Sequence, residues 1–65
     1  GNILNITSSE TISEIEIVNA MGQVVLRKEI NADNAVCDVE GLANGIYVVR
    51  IQVQGSEIQR KFVKE

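Results

Sequence analysis

The chain has 65 residues, nine acidic and six basic side chains, a net charge of −3 and no histidine. A domain this small buries only about 60% of the surface its unfolded chain exposes and has no room for a large cleft, and without histidine neither a Ser/His nor a Cys/His nucleophile can be assembled. The bases are scattered as Arg27-Lys28, Arg50 and three among the last six residues, which leaves no stripe to follow a phosphate backbone and argues against nucleic acid as a partner.

Apolar residues make up 45% of the chain, mostly Ile and Val with one Phe and one Tyr, a β-rich globular composition. Asn2–Thr7 alternates with Leu4 and Ile6 on one face, until Ser8-Ser9-Glu10 interrupts. Ile12–Val18 puts Ile15 and Ile17 on one side and Glu14 and Glu16 toward water on the other, and Asn19-Ala20-Met21-Gly22 reverses the chain. Gln23–Ile30 forms a third strand and Asn31–Asn34 the next break. Val36–Val39 forms a short fourth, with Ala35, Cys37 and Val39 on one face. Glu40–Gly45 is a loop with two glycines, which tolerate positive φ. Ile46–Val53 and Ile58–Lys64 are the longest strands, joined at Gln54-Gly55, with Tyr47, Val49, Ile51 and Val53 sharing a face. Six to seven short strands at roughly ten-residue spacing predict an all-β domain. The expected form is a small antiparallel, immunoglobulin-like β-sandwich, with a partly open barrel as the alternative.

Chemistry-bearing constellations are few. Glu14 and Glu16 share a strand face without the groove that a catalytic carboxylate pair needs, and read as a solvated face. Asp33, Asn34, Asp38 and Glu40 match no calcium loop, and turn chemistry explains them. Cys37 is the only cysteine, so it forms no intrachain disulfide and reads as a small buried hydrophobe. Gly22, Gly41 and Gly55 read as turn glycines, since none has phosphate-loop spacing. Tyr47 and Phe62 read as core or rim aromatics. No catalytic residue, metal or cofactor is predicted. No apolar run approaches the ~20 residues of a membrane helix, and the first residues show no export-signal pattern.

The last hairpin is the most informative segment. Its alternation runs to the final residues and finishes in a basic and apolar tip, where most domains fray into disposable polar residues. Arg60, Lys61 and Lys64 are expected to show their charges to solvent while Phe62 and Val63 anchor the strand. A partner could read such an edge by strand addition plus charge, or the lysines could simply guard the edge against aggregation.

Three stretches in order, Ile15–Val25 with its Gly22-Gln23 turn, Leu42–Ile51 with Gly45-Ile46-Tyr47, and the terminal Lys61-Phe62-Val63-Lys64, carry a resemblance. Together they are similar to the type A C-terminal sorting domain of the Bacteroidetes type IX (Por) secretion system, over essentially the whole chain. The resemblance implies one sorting domain over residues 1–65 that directs a larger cargo through the outer-membrane translocon. A sortase-like peptidase then removes it, and the cargo is released or attached at the cell surface. It implies no enzymatic activity in this chain, and it favours Gly45, Tyr47, Arg60, Lys61, Phe62, Val63, Lys64 and Glu65 as residues read by translocon or peptidase. The family opens on a Pro-Asn-Pro stretch, whereas this chain has no proline. That departure implies a domain slightly truncated at its N-terminus, with an exposed edge that can pair with another copy. The alternatives are a carbohydrate-binding or adhesion module, which would want exposed aromatic platforms, and a passive spacer of a surface protein.

Overall fold

A computed structural model describes residues 3–65; Asn2, the first residue of the expected first strand, lies outside them. The described residues form one antiparallel sheet of four strands. These are β1 (Ile3–Asn19), β2 (Val24–Asp38), β3 (Gly45–Val53) and β4 (Ser56–Lys64), arranged β2-β1-β3-β4. The all-β antiparallel expectation holds, but four strands replace six to seven.

The count falls because the first two predicted strands are one 17-residue strand and the next two one 15-residue strand. Thr7 pairs with Asn34 and Ile12 with Ala32, so the four residues Ser8–Thr11 stand against Asp33 alone. A bulge of this kind bends a ribbon without ending it. The breaker residues of both strands lie opposite one another, and the two strands turn the corner together. Asn31 takes the left-handed region at φ 56°, which its short polar side chain tolerates better than most.

The bend carries the outer half of the β1–β2 hairpin over the face made by the inner half with β3 and β4. Ala35 and Cys37 from the outer half therefore join Ile12, Ile15, Ile17, Tyr47, Val49, Ile51 and Val53 in one core, with Leu4 and Ile6 packed against it. The result is a two-layered sandwich made from one folded sheet. Ile12, Ile15 and Ile17 are fully enclosed, and each such side chain contributes about 1.5–3 kcal/mol relative to exposure.

The opposite face departs from its expected solvation. Glu14 and Glu16 are half-buried, held by Arg27 at 2.8 and 3.4 Å, with Arg50 at 3.7 Å from Glu16. Glu16 sits directly between Arg27 on β2 and Arg50 on β3. Opposite charges in adjacent strands shield its carboxylate from the water an isolated strand would offer. The hydrogen bond and charge of Glu14, with Glu16 behind it, raise the Arg27 guanidinium further above its ordinary value.

Candidate recognition site

The β1–β2 turn, the start of β3 and the end of β4 meet at one end of the sheet. Asn19 pairs with Tyr47, Tyr47 with Phe62, and Gly45 with Lys64. Asn19 builds the turn: its Oδ1 accepts from the amides of Met21 and Gln23 at 2.9 and 3.0 Å, and Gly22 supplies φ 85°. That side chain does the work of a turn carbonyl, as Asn does in Asx turns.

Two side chains pin the loop before β3. The Tyr47 hydroxyl donates to the Ala43 carbonyl at 2.5 Å, and the Lys64 ammonium donates to the Leu42 carbonyl at 3.3 Å. The loop itself is closed by the Leu42 amide on the Val39 carbonyl and the Glu40 amide on the Asp38 carboxylate, both at 3.0 Å. Gly41 lies in this turn without a positive φ, contrary to the expectation for the loop glycines. Tyr47 is buried, and its ring stacks on half-buried Phe62 with centroids 5.2 Å apart and planes 21° apart.

Two expectations for the last strand are overturned. Lys64 does not face solvent; it is 8% exposed, its stem lying inside and its amine reaching a carbonyl. Val63 is not an anchor, being 53% exposed. Strict alternation explains both, because Phe62 fixes the phase and sends Lys64 inward and Val63 outward. A lysine stem is apolar enough to occupy the inward place. Arg60 and Lys61 are exposed as expected, and Glu65 is exposed as well.

The pairing also shows what the sequence reading passed over. Val63 pairs with Ile46, itself 52% exposed, and Val24 and Met21 are exposed at the same end of the sheet. The alternation that turns Tyr47, Val49 and Ile51 inward turns Ile46 outward. An aliphatic residue at an outward position next to a loop was the available signal.

The described residues form a small all-β module whose ordered features converge on its last strand. Along residues 1–65 the chain matches the family described as the secretion system C-terminal sorting domain, and it belongs to that family. It is thus the C-terminal sorting signal of a type IX secreted protein of the Bacteroidetes kind, which interacts with the type IX machinery and reaches the cell surface or the exterior. Domains of this family are in general non-catalytic. The chain matches no curated relative and no solved structure at a significant level. Nothing supports the adhesion or spacer alternatives.

Proposed function

We propose that the sorting signal is read at the β3–β4 end of the sheet. The outward groups Lys61, Val63 and Glu65, with Ile46 beside them, make contact. Gly45, Tyr47, Phe62 and Lys64 hold that surface in shape from within, and Arg60 carries charge along the edge strand. A sortase-like peptidase of the secretion machinery then removes the domain, leaving cargo to be released or attached. The observation that carries this reading is the exposed Ile46/Val63 pair beside Lys61, on a strand whose other edge has no neighbour among the described residues. Edge strands are natural places for strand addition by a partner. The same free edge supports self-association of the domain.

The experiment places the chain behind a periplasmic reporter in a Bacteroidetes host. The intact domain, a Lys61–Glu65 truncation and Ile46→Glu/Val63→Glu are compared, after protease resistance has shown which versions fold. The intact fusion should appear outside the cell without the mass of the domain, while the folded outward variant accumulates in the periplasm. Equal export of intact and substituted fusions sinks the assignment of the reading surface.

A further inference from the structure

The bend in β1 leaves an opening on the side of the molecule away from Val63. Pairing of β1 with β3 begins only at Ile12, so among the described residues the outer half of β1 has β2 as its sole neighbour. Strand β4 in turn has only β3 among the described residues. Between these two unpaired edges runs an open cleft of about 480 Å³. Leu4 and Ile6 line it from one strand and Ile58 and Phe62 from the other, over a floor of Val49 and Ile51.

The charge of this cleft is one-sided. Arg60 and Lys61 line it and no carboxylate does, although the chain as a whole carries −3. Neither cation belongs to an ion pair among the described residues, where the pairs involve Arg27 and Arg50. Two unpartnered cations over an apolar floor favour an occupant with both apolar and acidic groups. The facing edges offer backbone donors and acceptors at strand spacing, which favours an extended peptide. The stretch Ile58–Phe62 spans roughly 17 Å, enough for about five residues of such a strand.

We propose that this cleft binds an extended peptide segment of another protein, alternating apolar with acidic residues, which inserts between β1 and β4. Its apolar side chains rest on Ile6, Ile58 and Phe62, and its carboxylates meet Arg60 and Lys61. The chain's own stretch of that pattern, Glu14-Ile15-Glu16-Ile17, is committed to the centre of the sheet between β2 and β3. This inference shares Arg60, Lys61 and the free edge of β4 with the proposed sorting surface but not its Ile46/Val63 pair, so the export test on Ile46→Glu/Val63→Glu and the peptide titration fail separately.

The test titrates an end-capped synthetic heptapeptide alternating Glu and Val into the isotope-labelled 65-residue chain. A Lys/Val peptide of the same length is the control, and amide NMR shifts and hydrogen exchange are followed. Shifts and new protection confined to Leu4–Ser9 and Ile58–Phe62 are expected, weaker by more than about tenfold for the Lys/Val peptide and for Arg60→Gln/Lys61→Gln. If that variant fails to fold, the two peptides on the unaltered chain decide. Equal binding of both peptides, shifts elsewhere, or no shift at millimolar peptide overturns the proposal. So does a dimer in sedimentation that protects the same two stretches without peptide.

Discussion

Tyr47 and Phe62 face each other across β3 and β4 with their rings stacked, and the hydroxyl of the first reaches back to the Ala43 carbonyl. One aromatic pair thereby joins the last strand, the strand before it and the loop between the two hairpins.

Truncating either ring should loosen all three. A domain of this size holds only a few kcal/mol in total. Tyr47→Ala, at about 3–5 kcal/mol, is expected to unfold it, and Phe62→Ala, half-buried, to cost about 2 kcal/mol. Tyr47→Phe keeps the stacking and should lose about 1 kcal/mol with the hydrogen bond. Urea midpoints at constant slope are the measurement. A Tyr47→Phe protein as unstable as Phe62→Ala would show that the loop contact counts for as much as the Phe62 ring.

Lys64 offers a second separation. Lys64→Met retains an apolar stem in the inward position and should cost only about 1 kcal/mol from the lost hydrogen bond. Lys64→Glu brings a carboxylate up to the Leu42 carbonyl and should be markedly worse than Lys64→Met. Equal midpoints for the two would show that the side chain leaves the core in solution.

The turn glycines divide by backbone conformation. Gly22 and Gly55 hold φ of 85° and 70°, with open space where a Cβ would sit, so alanine there should cost about 1–2 kcal/mol from backbone strain alone. Gly41 has the same open space without the positive φ. Gly41→Ala should be neutral or add up to about 1 kcal/mol by restricting the unfolded chain. Thermal melts of the three single variants check the ordering.

Cys37 predicts a pH dependence. Burial pushes its thiol above the ordinary 9.0, against a smaller lowering by Lys28. The folded state therefore holds this proton more tightly than the unfolded chain does. The stability it contributes is complete below pH 9, and it is lost as pH rises from there toward the folded value, at a slope of at most about 1.4 kcal/mol per pH unit. Urea midpoints from pH 8 to 10.5 should fall more steeply for the native chain than for Cys37→Ala. Parallel curves would show that the thiol reaches solvent while the domain is folded.

Much of this molecule is written locally. The alternation of Tyr47, Val49, Ile51 and Val53, the common buried face of Ala35, Cys37 and Val39, and the turn at Gly55 all emerge from residues close in sequence, and all are realised. What escaped local reading was relational. Ser8-Ser9-Glu10 and Asn31–Asn34 each look like a strand end, and only their juxtaposition across the hairpin converts two ends into one bend. Likewise Lys64 reads as a surface residue until Phe62 fixes the phase of its strand.

The strand order has a kinetic meaning. Each hairpin closes through a short turn, Asn19–Gln23 in one and Gln54-Gly55 in the other, whereas the ladder from Ile12 with Val53 to Asn19 with Tyr47 joins residues far apart in the chain. Loop closure of that length precedes any gain from the contacts it brings, so docking of the two preformed hairpins is the slow event of folding. A transition state built on that ladder would make Ile17 and Val49 rate-determining. Until those strands zip, the residues that shape the final strand have a hairpin to sit on but no domain to close.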